Sequence, residues 1–272
     1  MKETINQIAI LGSGNIGMSL AKGLVKSGYC PAENITLTRR NLTKITEPSE
    51  LGFVVSDQNF DTVSGSSIIV IAVLPQQLNG LLDQIAGAVT PEKHLIISVV
   101  SGVSCADIRA KLGSNVQVIR AMPNTAIAIR QSMTCIASDN SNSENLNKVK
   151  ILFETVGAVI QINEELMTAA TALCACGIAF FLRAVRAASQ GGIEIGFHAD
   201  DALKMAAQTA RGAAELLLQN NSHPEQEIDK VTSPKGCTIA GLNEMEHQGF
   251  SSSLIKGIKL SALKAGGLYT KE

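Results

Sequence analysis

An excess of charge of either sign is missing from this chain of 272 residues: lysine and arginine total 23, aspartate and glutamate 24, and the net charge is −1. The basic residues are scattered, so the electrostatic footprint of a nucleic-acid binder is absent. Hydrophobic residues make up 45% of the chain, yet no uncharged apolar run reaches the length of a membrane span. The N-terminus, MKETINQIAIL, enters a strand pattern directly and lacks a cleavable signal, which makes the cytoplasm the expected location. Metal-ligand spacing is missing as well. The cysteines, Cys30, Cys105, Cys135, Cys174, Cys176 and Cys237, follow no zinc pattern, and a chain of this size needs no disulfide staples. Cys174 and Cys176 lie two apart in an apolar helical pattern and so point in different directions. All six read as small buried residues in reduced form. His94, His198, His223 and His247 are dispersed and read as surface or capping residues. There are no repeats and no low-complexity tract, and DNSNSEN (139–145) reads as a polar loop.

What is present falls into two halves with different periods. From residue 5 to about 162, short β-rich runs alternate with polar or helical segments: QIAIL, ITLT, FVVS, SIIVIAV, HLIISVV, VQVIRAM, MTCIAS and AVIQI. Fully apolar runs such as IIVIAV suit strands buried on both faces of a parallel sheet, and the alternation predicts right-handed βαβ units. After residue 163 the patterns are helical, over 164–190, 199–219, 224–230, 237–247 and 251–268, and dense in alanine. Ser222 with Glu225 reads as a capping box with Pro224 in the first turn. Gly191-Gly192 and Gly196 read as breaks that turn the chain. The expected fold is α/β: a Rossmann-type doubly wound sheet over 1–162, then an all-helical dimerisation and substrate-binding domain over 163–272. So apolar a helical block would leave a large exposed patch on a monomer, which favours a homodimer.

IAILGSGNIG places Gly12, Gly14 and Gly17 in G-x-G-x-x-G spacing, with Ser13, Asn15 and Ile16 between them, after a strand and before a helix. In that context the motif is a dinucleotide fingerprint. Gly12 suits the tight turn, Gly14 the close approach of a pyrophosphate, and Gly17 the packing of helix on sheet. The second strand ends in LTRRN, so Arg39 and Arg40 stand where an NAD site would place an acidic residue for the ribose 2′-hydroxyl. Guanidinium suits a 2′-phosphate, which makes NADPH the expected cofactor, with NADH as the alternative. AVLPQQ (72–77), SVVSG (98–102) and RAMPN (120–124) follow three further strands at the carboxyl edge, where a dinucleotide crosses the sheet.

DKVTSPKGCTIAGL (229–242) carries Ser233, Cys237 and Thr238 ahead of an apolar helical pattern, with no histidine, glutamate or paired carboxylate beside them. From its residues alone it reads equally as an ordinary helix start, Ser-Pro before the helix, or as an anion site at a helix N-terminus.

GSGNIG, AVLPQ, RAMPNTA (120–126), GGIEIGF (191–197), AAQTARGAAELL (206–217), HP (223–224) and TSPKGCT occur together and in order. On these blocks the chain resembles the pyrroline-5-carboxylate reductase family over almost its whole length. The resemblance implies reduction of Δ1-pyrroline-5-carboxylate to L-proline, the last step of proline biosynthesis, with NADPH or NADH. It also implies a helical domain interlocked with a partner subunit, in some members stacked into a ring of dimers, and a substrate held between the nicotinamide and the TSPxGxT loop. Carried across, Ser233, Gly236, Cys237 and Thr238 are substrate contacts, with Thr238 the catalytic one. Asn59, Ala72, Val73, Leu74 and Pro75 are cofactor contacts, as is Lys230 by position. No metal and no membrane or nucleic-acid partner is implied. The chain departs from the family pattern at three places: SPKGC where the family reads SPGGT or SPGGA, ACGIAF (175–180) for GSGPAY, and Asn221 where an acidic residue often precedes His-Pro.

Hydroxyls and a helix end suffice for such a reaction. A cyclic imine protonates readily to an electrophilic iminium, so the protein has chiefly to position and to stabilise charge. The helix N-terminus suits a substrate carboxylate, and the Thr238 hydroxyl suits the ring nitrogen. Three other readings stand beside this one: a related imine reductase, a β-hydroxyacid-dehydrogenase-like enzyme, and a non-catalytic NADP-binding regulator. The second requires a lysine on the first long helix after the sheet, and 164–190 contains none.

Overall fold

Apolar runs too short for a helix and flanked by glycine or polar residues become strands, and all eight expected runs do so. In a computed structural model that describes residues 7–41 and 46–269, they are β1 (Ile8–Leu11), β2 (Ile35–Thr38), β3 (Val54–Ser56), β4 (Ile68–Ile71), β5 (Leu95–Ser98), β6 (Gln117–Met122), β7 (Ser132–Ala137) and β8 (Gly157–Gln161). They form one sheet in the order β3-β2-β1-β4-β5-β6-β7-β8. Every pair is parallel except β6 and β7, where Met122 lies opposite Cys135. The change of direction between β1–β2 and β1–β4 opens a crevice beyond the carboxyl end of β1, the usual dinucleotide position in such sheets.

The helices on this sheet are α1 (Asn15–Lys26), α2 (Thr46–Glu50), α3 (Asn59–Ser64), α4 (Leu78–Ile85), α5 (Cys105–Leu112) and α6 (Ser143–Glu154). Successive strand residues face opposite ways, and each face has its own core. Ile8 and Ile10 pack with Leu20 and Leu24 of α1 and Leu152 and Phe153 of α6. Ala9 and Leu11 pack on the other side with Leu78 and Leu82 of α4 and Ile108 of α5. Burying each such leucine or isoleucine contributes about 1.5–3 kcal/mol.

Two compact units result, one of Met1–Cys176 with Leu260–Glu272, the other of Gly177–Lys259. The division thus falls after Cys176 where the sequence pattern suggests 162, because α7 (Met167–Ala170) packs Met167 and Ala170 with Met122 and Ala137 of the sheet. The first unit is discontinuous. Ala265 at its returning end is buried, and the Tyr269 hydroxyl donates to Asn79 Oδ1 at 2.7 Å across 190 residues.

The second unit consists of α8 (Gly177–Glu194), α9 (Ala199–Asn220), α10 (Pro224–Lys230), α11 (Cys237–His247) and the start of α12 (Phe250–Ala265). Two expectations are corrected here. Gly191 and Gly192 do not break the helix, which runs to Glu194; neither takes a positive φ, glycine being tolerated in a helix at a modest cost, and the chain turns at Gly196 with φ 113°. The cap of α10 is His223, not Ser222: its ring accepts from the Glu225 amide at 3.2 Å while Gln226 returns to the His223 amide at 3.0 Å.

A further difference concerns segment 164–194. It forms a 31-residue helical run containing an 18-residue stretch of mean hydropathy 1.8, long and apolar enough by length and composition to cross a membrane. Residues 171–176 of that run are wound as a π-helix.

Candidate functional site

The turn from β1 into α1 is built by its glycines. Gly12 has φ 104°, and an added Cβ would meet the Ala72 carbonyl oxygen at 2.6 Å. A Cβ on Gly17 would run into the Gly12 carbonyl, so only glycine lets α1 sit this close to the turn. Gly14 faces open space. It is also the N-cap of α1, with no side-chain acceptor over the first-turn amides and no acidic residue among them. The turn is tied to the end of β2 by the Gly12 and Ser13 amides, which donate to the Thr38 carbonyl at 3.3 and 3.0 Å.

Above this turn lies a cleft of about 700 Å³. Of the sequence-predicted cofactor residues, Gly12, Ser13, Gly14, Asn15, Ile16, Arg39, Arg40, Asn59, Ala72, Val73, Leu74 and Pro75 line it together. Gly17 lies behind the turn, and Lys230 belongs to the helical unit, where it pairs with Glu227 at 2.7 Å. Arg39 leans over the turn, its Nη1 donating to the Ser13 carbonyl at 3.4 Å, while Arg40 is exposed. Two buried polar atoms of this lining, Ser13 Oγ and Asn59 Oδ1, have no protein partner. Asn59 is held in place by its amide nitrogen, which donates to Gln84 Oε1 at 2.9 Å. A glycine turn, an open helix end, two arginines and the unpartnered Ser13 hydroxyl fit a dinucleotide phosphate, and Asn59 Oδ1, an acceptor, suits a hydroxyl or amino donor of the nucleoside. Thr38, Asn41, Gln77, Leu81, Val99 and Ser101 also line the cleft; their signal in the sequence is their place just past the ends of β2, β4 and β5. None of 120–124 lines it.

In the helical unit, Ser233, Pro234, Lys235 and Gly236 make a tight turn closed by the Gly236 amide donating to the Ser233 carbonyl at 2.9 Å. Lys235 has φ 58°. Proline at the second position and a positive φ at the third define a type II turn, where glycine is the usual third residue. Gly236 then caps α11 with no side-chain acceptor and no acidic residue in the first turn. A Cβ there would meet Ser233 Oγ at 2.6 Å. Ser233 and Cys237 are exposed and Thr238 is half-buried. By contrast, α5 and α6 have their N-terminal amides capped by Ser104 and Asn142. Both α1 and α11, capped by glycine, present first-turn amides without a side-chain acceptor, and no base touches Thr238 among the described contacts.

A second cluster of chemistry-bearing residues is largely paired within itself, with buried Arg120 Nε left without a partner. Cys105 Sγ, Asp139 and Glu164 carboxylate oxygens lie within 4.8 Å of one another. Asp139 accepts both Arg109 guanidinium nitrogens at 2.6 Å, which holds its carboxyl below the usual range. Glu164 accepts from the Cys105 amide at 2.7 Å and pairs with buried Arg120 at 3.3 Å. Burial, then the Glu164 charge, push the Cys105 thiol up to about 12. Two arginines thus offset two carboxylates beside a protonated thiol, the charge balance of a structural ion-pair network.

A family model described as pyrroline-5-carboxylate reductase dimerisation matches residues 164–268, and one described as NADP oxidoreductase coenzyme F420-dependent matches 7–102. The chain is 54% identical over 284 residues to pyrroline-5-carboxylate reductase 1 of Dictyostelium discoideum, with 100% of this chain and 51% of that protein covered. It therefore spans about half the length of that relative. It is 48% identical over 274 residues to pyrroline-5-carboxylate reductase 2 of the same organism, covering 95% of this chain and 91% of the relative. Among solved structures, a pyrroline-5-carboxylate reductase from Coxiella burnetii superposes with a TM-score of 0.89 at 25% identity, over 98% of this chain and 100% of the other.

Proposed function

The chain belongs to the pyrroline-5-carboxylate reductase family, and from that premise we propose that it reduces Δ1-pyrroline-5-carboxylate to L-proline with NADPH in the last step of proline biosynthesis. The observation that carries the reading is the pair of glycine-capped helix ends: α1 opens into a dinucleotide-sized cleft, and α11 opens beside Ser233 and Thr238.

NADPH, when bound, supplies the hydride. Ser13, Asn15 and Ile16 with the α1 amides hold its pyrophosphate, and Arg39 and Arg40 offer guanidinium groups to its 2′-phosphate. Asn59 and the 72–75 strand end flank it. Gly17 acts by letting α1 pack close, and Lys230 is assigned to the cofactor by position. The substrate carboxylate is held by Ser233 and by the Cys237 amide in the open first turn of α11, at the positive end of its dipole, while Gly236, whose own amide closes the turn, allows the close backbone approach. Thr238 hydrogen-bonds the ring nitrogen and orients the protonated imine. A cofactor role for 1–162 and a dimerisation and substrate role for 163–272, a functional boundary ahead of the compact division after Cys176, complete the reading with a helical dimer extended to a ring of dimers and a cytoplasmic location. The apolar side chains that α8 exposes, Phe181 and Leu182 among them, support a protein partner for it.

NADPH absorbance followed with pyrroline-5-carboxylate, then NADP⁺ reduction with 3-hydroxy acids, tests this. Rapid oxidation of NADPH by the imine and no turnover of the hydroxy acids is expected. Turnover of neither, with NADPH bound, would leave the non-catalytic binder.

A further inference from the structure

Six cysteines are free, and two of them meet. The sulfurs of Cys135 on β7 and Cys174 in the π-wound turn lie 3.8 Å apart, although the residues are 39 positions apart in the chain. Cys135 is buried in the small cluster of Met122, Ala137, Met167 and Ala170, and Cys174 is half-buried at its margin. A disulfide has an S–S distance of about 2.05 Å, so the sulfurs need to close by about 1.8 Å. Closing that distance takes rotation of the two side chains toward each other. Helices rarely wind as π turns, and where they do the turn is frequently functional. The π turn here is also what presents Cys174 to the sheet, and its Cys174 carbonyl accepts from Asn124 Nδ2 at 3.2 Å.

We propose that Cys135 and Cys174 are a reversible, peroxide-responsive disulfide site, with Cys174 the attacking thiol and Cys135 the resolving one. Exposure decides the roles, because the half-buried sulfur is the one an oxidant reaches. The sulfur–sulfur contact agrees: it favours the thiolate at Cys174, lowering its pKa, and the protonated thiol at Cys135, whose pKa it raises together with burial. The other buried thiols are poor competitors, since burial raises Cys30 and Cys105 alike. In the reaction the Cys174 thiolate attacks one oxygen of hydrogen peroxide. The O–O bond breaks, hydroxide leaves and takes a proton, and Cys174 becomes a sulfenic acid. Cys135, losing its proton, then attacks that sulfur and expels hydroxide, which becomes the second water. Two thiols are oxidised by two electrons, one peroxide is reduced to two waters, and one S–S bond forms. A dithiol such as dithiothreitol reverses it by exchange. The inference stands apart from the reading of the catalytic site.

The folded, full-length protein is treated with a small excess of hydrogen peroxide in native buffer, alkylated, digested and mapped by mass spectrometry. A peptide pair joined through Cys135 and Cys174, lighter by two hydrogens and released by dithiothreitol, is expected. Cys174→Ser and Cys135→Ala should each abolish it, and Cys176→Ser should leave it intact. Retained NADPH binding by each variant shows that the loss is not a loss of folding. Alkylation of both free thiols after treatment would overturn the proposal. So would a link that joins Cys174 to another cysteine, or one that forms only in urea.

Discussion

Lys235 holds a backbone conformation that side chains avoid, φ 58° at the third position of a type II turn. The left-handed region costs an L-residue about 1–2 kcal/mol, and glycine returns part of that gain as extra freedom of the unfolded chain. Lys235→Gly should therefore be neutral to slightly stabilising, by no more than ~1 kcal/mol. Lys235→Val should be clearly destabilising, since β-branching is least tolerated there. Paired chemical-denaturation curves decide it, and a Val variant as stable as Gly would mean that the turn is not what holds this conformation. Three residues on, the proposed role of Thr238 makes a second prediction. Thr238→Ala should lower kcat/KM by roughly ten- to a hundredfold, the effect of losing a hydrogen bond to a charged group of about 1.5–3 kcal/mol. Ser should restore much of it and Val should not; a Val enzyme as active as wild type would remove the hydroxyl from the reaction. At the other site, Arg39→Ala with Arg40→Ala should weaken NADPH selectively and spare NADH. Equal loss of both in a titration would contradict the 2′-phosphate role. All of these residues were visible in the sequence as motif positions. The strain at Lys235 was not, because a letter reports the side chain and not the φ angle it is held at.

At the scale of elements, His94 joins the approach to β5 with the end of α3. Its ring is buried: Nδ1 accepts from the Thr90 amide at 2.8 Å, and Nε2 lies 3.1 Å from the Val63 carbonyl. Those contacts require a neutral ring with the proton on Nε2. Burial first, and then the neighbouring Lys93 charge, hold its pKa below the ordinary 6.5. The unfolded chain thus binds the proton more readily than the folded one. The stability His94 contributes is present above pH 6.5 and is lost as pH falls through its folded value. The thermal midpoint of wild type should drop between about pH 7.5 and 5 more steeply than that of His94→Gln. Parallel slopes would assign the acid sensitivity elsewhere. The sequence pattern gives His94 as a surface or capping residue, and the structure buries it, because its partners lie on another element. The same limit explains the rest of what was not legible. The eight strands read out because each is a short apolar-rich or β-branched run, and all but the edge strands β3 and β8 are paired on both sides. The His223 cap, the π turn at 171–176 and the Arg120–Glu164 pair, which spans 44 positions, depend on geometry that periodicity does not encode. The cleft was legible through its glycines and arginines, while Thr38, Gln77 and Ser101 enter it only through the order of the strands.

On the scale of the molecule, the helical unit has almost no interior of its own: from Gly177 to Lys259, Gly177, Ser189 and Ala202 are the buried residues. Phe181, Leu182, Ile195 and Leu218 are each more than 60% exposed. Isolated helices are marginal without a buried face, which fits the match of this half to a dimerisation family model. Sedimentation at micromolar concentration should give a dimer or a multiple of one, and a stable monomer would refute it. Phe181→Glu with Leu182→Glu should dissociate the assembly and lower the melting temperature together. The return of Leu260–Tyr269 to the sheet unit has a consequence for how the chain is made. A nascent chain that has all eight strands outside the ribosome still lacks Tyr269 against Asn79 and the apolar cluster beneath it. The sheet unit is therefore completed only after the helices that separate its two pieces have emerged, so a transcript cut at codon 260 yields a protein whose helical unit is whole and whose sheet unit is not.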